Sequence, residues 1–170
     1  MPIRLAVVAA EQSVVLETVT AATDAGLVQA HLIGSPDAIS ECARSHGVAV
    51  DEGSIIAAES ASAAARTAIE LVRRGEADAI MKGQIHTDAL MHALLDKKLG
   101  LRVPGYRVSH AFVVELTSYH KLLTITDAAI NISPDLDAKA DILRNAVALV
   151  RALGCDHPKA AVLSAVETVN

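Results

Sequence analysis

The sequence predicts an α/β protein with a mostly parallel sheet flanked by helices and one antiparallel hairpin. Short apolar runs of strand length alternate with longer segments in which apolar residues recur at helical spacing. Apolar residues make up 52% of the 170-residue chain but aromatic residues only 2%. The core must therefore be built from Ala, Val, Leu and Ile, which is typical of a parallel sheet under Ala-rich helices. Two later strands are separated by about four residues, too few for a parallel crossover.

The first hundred residues read as repeated βα units. Strands are predicted at residues 4–10, 29–34 and 77–81, with a weaker one at 48–50, and the helices end near Gly26, Gly47, Gly75 and Gly100. Ser35 followed by Pro36 has the order of an N-cap and a first-turn proline. Helix 60–74 has apolar residues on one side, as expected for a helix packed on a sheet.

The second part of the chain does not continue the repeated βα units. Residues 101–107 form a loop, and strands 108–116 and 121–126 pair as an antiparallel hairpin. Ser133 and Pro134 are predicted to cap a helix that ends at Gly154, and residues 160–165 form a last strand. The apolar stripe of this helix consists of Leu136, Ala140, Leu143, Val147 and Val150. We predict two domains, residues 1–104 and residues 105–170.

Composition excludes several classes of function. The net charge of -5 is spread along the chain, which argues against nucleic acid as a partner. Cys42 and Cys155 stand far apart, as in a reduced intracellular protein, and no signal peptide or membrane-length apolar run is present, so we expect a cytoplasmic protein without membrane contact. The histidines lack the spacing of a helical metal site, and we predict no bound metal.

Residues 82–87 follow a predicted strand and lead into a helix, where open α/β sheets bind ligands. Gly83 permits close approach of backbone N–H groups to an anion, and the helix N-terminus adds partial positive charge. Lys82 and His86 supply further donors, and Thr87 opens the helix. Asp88 in the first turn opposes an anion. The alternative is that the segment only caps the helix.

Three further positions are candidates for binding. Asp127 and Asn131 follow the hairpin's second strand, where they either orient a substrate or only hold the turn before the next helix. Arg102 follows a glycine at the start of a loop and either reaches an anion or is solvated. Ser109 and His110 are adjacent in a strand and face opposite sides, so they cannot act on each other as nucleophile and base.

Five segments carry a resemblance to a known family: residues 81–88 (MKGQIHTD), 100–102 (GLR), 108–110 (VSH), 124–136 (TITDAAINISPDL) and 162–170 (VLSAVETVN). Together they resemble the phosphate acetyl/butyryltransferase family, in particular the transferase half of proteins that join it to a MaoC-like enoyl-CoA hydratase. The resemblance covers residues 3–170. It implies an architecture similar to isocitrate and isopropylmalate dehydrogenases, with two α/β domains facing a cleft, here incomplete.

The resemblance also implies an activity: acyl-CoA plus phosphate gives acyl phosphate plus CoA. It implies phosphate or CoA binding at Lys82, Gly83, His86, Thr87 and Arg102, and substrate orientation in a cleft by Ser109, Asp127 and Asn131. CoA, acyl-CoA, inorganic phosphate and acyl phosphate are then substrates, no other cofactor is needed, and the protein is a homo-oligomer.

The chain departs from the family in two places. Members commonly carry an arginine early in the helix after Thr87, where this sequence has Met91, His92 and Ala93. The family's sequence also continues beyond the point matched by Asn170, and that part supplies the Ser, Asp and Arg that handle the CoA thiol. We therefore expect a fragment or shortened gene product with weak or no turnover, and we assign no catalytic residue.

Two alternatives remain. One is a non-catalytic α/β module that binds an anion or serves oligomerisation, with the apolar strand at 160–165 favouring self-association. The other is a dehydrogenase-like relative. The absence of a Gly-x-Gly-x-x-Gly after the first strand counts against a Rossmann mode of cofactor binding, and the absence of clustered metal-binding aspartates counts against such an enzyme more strongly.

Overall fold

The computed structural model describes residues 1–163 of the 170-residue chain. The chain forms two compact units, the first spanning Met1–Arg102 and the second beginning at Val103.

The first unit is a four-stranded parallel sheet between two layers of helices. In chain order its elements are β1 (Ile3–Val8), α1 (Ser13–Asp24), β2 (Val28–Gly34), α2 (Pro36–His46), β3 (Ile55–Ala57), α3 (Ala61–Arg73), β4 (Ala79–Lys82) and α4 (Thr87–Leu94). A 3-10 turn, Glu52–Ser54, precedes β3. The strands lie in the order β3-β2-β1-β4, and all neighbours are parallel. The α/β class is confirmed.

Central strand β1 supplies side chains to both faces of the sheet. Ala6 and Val8 pack with residues of α3 and α4, whereas Val7 packs with residues of α1 and α2. These β1 side chains are fully buried. Because successive strand residues point to opposite faces, one apolar run can build both halves of the core.

Helix ends follow the predicted signals in most places. Ser35 accepts a hydrogen bond from the Ala38 N–H, and Gly47 ends α2 in the left-handed conformation. Gly26 and Gly75 likewise have positive φ. The weak strand expected at 48–50 is wrong, because the third strand is β3 at Ile55–Ala57. Residues 48–50 instead lead to the turn held by Asp51, whose side chain accepts from the Gly53 N–H.

The second unit consists of an antiparallel hairpin and one long helix. Strands β5 (Ala111–Leu116) and β6 (Tyr119–Thr126) pair as predicted, although their turn is shorter than expected. Helix α5 (Leu136–Ala152) begins later than predicted, because Asp135 rather than Ser133 caps it by accepting from the Ala138 N–H.

Two other predictions for this part of the chain need correction. The buried positions of α5 are Ala138 and Ile142, while Leu136 of the expected stripe is 82% exposed. The described residues 160–163 of the predicted last strand are not in a strand, and residues 164–165 lie outside the described residues. Within residues 1–163, no helix combines the length and apolarity needed to cross a membrane.

Candidate functional site

The carboxyl ends of the four parallel strands lie at one edge of the first unit. Strand β1 sits between β2 and β4, and the connections to these neighbours use helices on opposite faces, α1 on one and α3 on the other. Successive strands are therefore added in one direction from β1 to β3, whereas β4 lies on the other side of β1. Open α/β sheets bind ligands outside the carboxyl ends of the strands at such a change in strand order. Residues 9–12 and 83–86 are the two loops that follow β1 and β4 at this edge of the sheet.

Gly83 joins these loops by close backbone contact. Its N–H donates to Val8 O at 2.8 Å, and the Gln84 N–H donates to Ala9 O at 2.7 Å. A Cβ at position 83 would lie 2.3 Å from Ala9 O, closer than any side chain allows. The N–H of Ile85 is also used, by Gly83 O. Gly83 is therefore required for packing, and these three N–H groups are not free to bind an anion.

Helix α4 offers donors that the loop does not. Its N-cap, His86, makes no side-chain capping hydrogen bond, and the same holds for Gln12 at the start of α1. In contrast, Ser35 and Ser60 cap α2 and α3. The first-turn N–H groups of α4 thus lack a side-chain acceptor in the part of the chain that the structure describes, and they are available to an anion at this edge.

Charged side chains of both signs surround this helix start. Lys82, His86 and Thr87 are all exposed, and the Lys82 Nζ lies 3.4 Å from Gly83 O. Asp88, also exposed, occupies the first turn and reduces the attraction for an anion. The structure therefore brings Lys82, His86 and Thr87 together at one edge of the sheet.

Arg102 lies elsewhere in the first unit. The N–H of Leu101 donates to the carbonyl of Leu94, the last residue of α4, at 2.9 Å. An eight-residue helix is roughly 12 Å long, so Arg102 follows the end of α4 opposite to Thr87. Helix α4 stops before the expected Gly100 because the Asp96 carboxylate accepts from the N–H groups of Lys98 and Leu99. These bonds hold the pKa of Asp96 below its usual range.

His92 is also separated from the helix start. It lines an open groove of about 890 Å³ between α3 and α4, together with Arg66 and Thr67 of α3. Five residues of helix, roughly 7 Å, separate it from Thr87. At the place where the resemblance implies an arginine, this chain thus has a histidine that lines the groove.

In the second unit, Asp127 organises the turn after β6. Its carboxylate accepts from the N–H groups of Ala129 and Ile130, both at 3.0 Å, and from the Asn131 side-chain amide. Burial raises the pKa of Asp127, but these hydrogen bonds and one from the His110 backbone outweigh it and lower the pKa to about 2. Asp127 is therefore a fixed anion with its acceptor sites largely occupied.

Asn131 and Ser109 are held by the same network. The Asn131 amide also donates to Val108 O at 3.1 Å, and the Asn145 amide of α5 donates to Ser109 Oγ at 2.9 Å and to Arg107 O at 2.7 Å. These contacts fasten segment 107–110 to the turn and to α5. Sequence reasoning missed Asn145, although an asparagine on the inner side of an apolar helix was a detectable signal.

A small pocket of about 300 Å³ lies beside the start of α5. Arg107, Asn131 and Ser133 line it, and the Arg107 Nε is 3.9 Å from the Asp141 carboxylate. Arg107 is thus a second cation beside a helix N-terminus, and it was not among the predicted candidates. Nothing in the local sequence pattern distinguished it from other loop arginines. Within residues 1–163, no group of three or more His, Cys, Asp or Glu side chains is placed to share a metal ion.

The fold and the polar edge of the sheet define an α/β protein of the ligand-binding, open-sheet class. The chain belongs to the phosphate acetyl/butaryl transferase family, whose model matches residues 56–170. It is 42% identical over 148 residues to a phosphate acetyltransferase of Rhizobium meliloti, covering 87% of this chain and 46% of that protein. It is 38% identical over 167 residues to a phosphate butyryltransferase of Clostridium acetobutylicum, covering 98% of this chain and 55% of that protein.

A solved structure agrees with this assignment. The crystal structure of a branched-chain phosphotransacylase from Enterococcus faecalis superposes with a TM-score of 0.75 at 27% identity, covering 99% of this chain and 58% of that one. The predicted family and fold class are confirmed. The chain spans about half the length of the curated relatives that it matches.

Proposed function

We propose that this chain forms part of a phosphate acyltransferase that exchanges an acetyl or butyryl group between CoA and phosphate. The observation that carries the proposal is the family match, with both acetyl- and butyryltransferases among the relatives. In this reaction a phosphate oxygen attacks the thioester carbonyl, the C–S bond breaks, and the thiolate leaves and takes up a proton. The substrates are acyl-CoA and phosphate in one direction, and acyl phosphate and CoA in the other, with no further cofactor.

The first unit's contribution to this reaction is the binding of an anion. Lys82 and the uncapped start of α4 are the groups that would neutralise a phosphate, with His86 and Thr87 as further donors. In the second unit Arg107 lies beside the start of α5, but Asp135 caps that helix and Asp137 occupies its first turn, so this helix start is less suited to an anion. The predicted role of Arg102 has no support from its position after α4.

A general base is not evident near these positions in the described residues. Asp127 has a pKa of about 2 and its carboxylate already accepts several hydrogen bonds, so it is a weak proton acceptor. We therefore propose that the 170-residue chain alone has little or no turnover. A phosphotransacetylase assay of the purified chain tests this, and robust acetyl-CoA formation from acetyl phosphate would contradict it.

A second candidate function is a non-catalytic anion-binding module of a larger enzyme. The hydrogen bonds of Asp127, Asn131 and Ser109 favour it, because these side chains are engaged in holding the turn rather than directed at a substrate. A cytoplasmic location also belongs to the proposal. It is supported by the free thiols of Cys42 and Cys155.

Ligand-induced stabilisation tests the anion site, which both candidate functions require. Phosphate, acetyl phosphate and CoA are titrated against the melting temperature, since a ligand that binds only the folded state must raise it. We expect Lys82→Ala to reduce the shift with phosphate. Lys98→Ala, an exposed lysine beyond the opposite end of α4, is the matched control and should leave the shift unchanged.

A second variant distinguishes the contribution of the helix N-terminus to phosphate binding from that of the side chains. Thr87 is the first residue of α4, and His86 before it has extended backbone angles. Thr87→Pro therefore removes one N–H donor at a position where proline suits the helix. We expect a weaker phosphate shift for Thr87→Pro than for Thr87→Ala. No shift with any ligand for the unmodified chain would count against an anion site at this edge.

A further inference from the structure

Glu11 lies in the loop that connects β1 to α1, and its side chain contacts the start of α2. The half-buried carboxylate accepts a hydrogen bond from the Ser35 N–H at 2.9 Å. Ser35 is the N-cap of α2, and its hydroxyl accepts from the Ala38 N–H. In a capping box, a Glu or Gln at the third helical position binds the N-cap N–H in return. Here Ala38 occupies that position, and Glu11 supplies the acceptor from a distant part of the chain.

Gly34, the last residue of β2, leaves the space that the Glu11 side chain fills. A Cβ at position 34 would collide with the Glu11 carboxylate, and its three nearest atoms all belong to that side chain. Gly34 does not have a positive φ, so the contact with Glu11 rather than the backbone conformation requires a glycine there. The end of β2 and the start of α2 together fix the position of the Glu11 carboxylate.

The same loop contains a strained residue whose carbonyl binds the segment before α4. Ala9 has a φ of 55°, a left-handed conformation that alanine seldom adopts. Its carbonyl accepts from the Gln84 N–H at 2.7 Å. Such a conformation persists only where the surrounding contacts hold it. On the side of β2, the loop is held by the Ala10 N–H, which donates to Ile33 O at 3.3 Å, and by the Glu11 carboxylate.

We propose that Glu11 is a positioning residue for the phosphate site at the start of α4. The proposal rests on the phosphate binding proposed above for this helix start. By fastening the loop to α2, Glu11 holds Ala9 in the conformation that directs its carbonyl at Gln84. The Gln84 hydrogen bond in turn places His86 and Thr87, where α4 begins and its free N–H groups face the anion. Glu11 acts through the backbone and makes no contact with phosphate.

The charge of Glu11 distinguishes this role from direct binding. A carboxylate near a phosphate repels it, so the charge itself does not favour the ligand. Positioning requires only an oxygen that accepts from the Ser35 N–H. Glu11→Gln keeps such an oxygen and removes the charge, whereas Glu11→Ala removes both. The two variants therefore separate the hydrogen bond from the charge.

Phosphate binding to these variants, measured by isothermal titration calorimetry of the 170-residue chain, tests the proposal. We expect Glu11→Ala to weaken binding by about ten-fold or more, and Glu11→Gln to stay within about three-fold of the unmodified chain. Glu17→Ala, which removes an exposed carboxylate from α1, is the matched control and should leave binding unchanged. Unchanged or tighter binding with Glu11→Ala, or an equal loss with both variants, would overturn the proposal.

Gly34→Ala displaces the Glu11 side chain while the loop sequence stays the same. The new methyl group meets the carboxylate first, and a flexible side chain can move away from it. We expect Gly34→Ala to weaken phosphate binding as Glu11→Ala does. In the Glu11→Ala background it should add little, because both variants remove the same contact. Losses that add up fully in the double variant would contradict the proposal.

Amide hydrogen exchange gives a readout that needs no ligand. We expect the Gln84 amide to exchange about ten-fold faster or more in Glu11→Ala, and at a nearly normal rate in Glu11→Gln, because its acceptor is held only when the loop is fastened. The amide of Ala68 in α3 should keep its rate. Equal acceleration at Ala68, or an unchanged Gln84 rate, would overturn the proposal.

The two readouts also separate this proposal from the proposed function. If the unmodified chain binds no phosphate, the anion site at the start of α4 fails. The exchange rate of the Gln84 amide then still decides whether Glu11 positions the start of α4.

Discussion

Asp127 is a single carboxylate that orders the turn between β6 and α5. Its carboxylate accepts hydrogen bonds from the N–H groups of Ala129 and Ile130 and from the Asn131 amide. It stays ionised because these donors favour the charged form. The sequence alone left two roles open, orienting a substrate or holding the turn. The hydrogen bonds support the second role directly, while substrate binding by Asp127 stays a prediction.

The lowered pKa of Asp127 predicts a pH dependence of stability. Its pKa falls from an ordinary value of 3.8 to about 2 in the folded chain. The stabilising contribution is therefore fully present above the unfolded-state value and is lost as the pH falls from about 4 through about 2. Thermal melts between pH 2 and 6 should show a smaller loss on acidification for Asp127→Asn than for the unmodified chain.

The matched control for this experiment is Asp24→Asn. Asp24 is exposed at the end of α1, in the first unit. If Asp24→Asn flattened the acid dependence as much as Asp127→Asn does, the hydrogen-bonded carboxylate would not be its cause.

Among the helices and strands, the junction of β4 and α4 shows how one contact positions a whole element. Two backbone hydrogen bonds tie residues 83 and 84 to the end of β1, so α4 starts at a fixed place at the carboxyl edge of the sheet. The glycine was noted in the sequence as an anion-binding feature. Its structural reason is different, since the carbonyls of Val8 and Ala9 occupy the space where a side chain would be.

Replacing Gly83 should therefore disturb the edge of the sheet. We expect Gly83→Ala to destabilise the chain by about 2–3 kcal/mol, because the new Cβ would meet backbone atoms that cannot yield easily. We also expect it to reduce the phosphate-dependent rise in melting temperature. Chemical denaturation measures the first effect and the ligand titration the second.

Gly53→Ala is the matched control for Gly83→Ala. A Cβ at Gly53 would lie 3.3 Å from the Asp51 carboxylate, a side-chain group that can move aside. Its cost should stay below about 1 kcal/mol. Equal costs for both variants would argue that the contact with β1 does not constrain position 83.

The whole molecule combines two units of unequal construction. The first has a core on both faces of its sheet, with helices on each side. The second relies on a hairpin and one helix, and apolar side chains of the hairpin, including Phe112 and Ile125, are exposed. Most of the apolar surface buried by the described chain therefore stabilises the first unit, since stability rises with buried apolar area.

This imbalance predicts that the first unit folds alone. Residues 1–102, produced separately, should keep their helical circular dichroism and unfold cooperatively on heating. In the whole chain, amide hydrogens of β1 and β2 should exchange more slowly than those of β5 and β6. Disordered residues 1–102, or equal exchange in both sheets, would contradict the prediction.

Much of the architecture was readable from local patterns. Serines and glycines marked the ends of α2 and α3, and the short linker predicted the hairpin. The third strand was missed because β3 is only three residues long and joins the edge of the sheet, where its pairing with β2 rather than its own pattern decides its conformation. The cap of α5 was misplaced by two residues, since Ser133 and Asp135 are both suitable residues and only the geometry selects one.

In the candidate site, too, some features follow from the local sequence and others depend on tertiary contacts. The sequence by itself determined the α/β class, the order of βα units, the family, and the grouping of Lys82, His86 and Thr87, because these depend on residues close together in the chain. Tertiary structure alone decided that the Gly83 N–H is already used, that Arg102 follows the far end of α4, and that Asn145 holds Ser109. It also left Phe112 and Ile125 of the hairpin exposed. Each of these depends on which distant residues meet, and backbone packing rather than local spacing determines that.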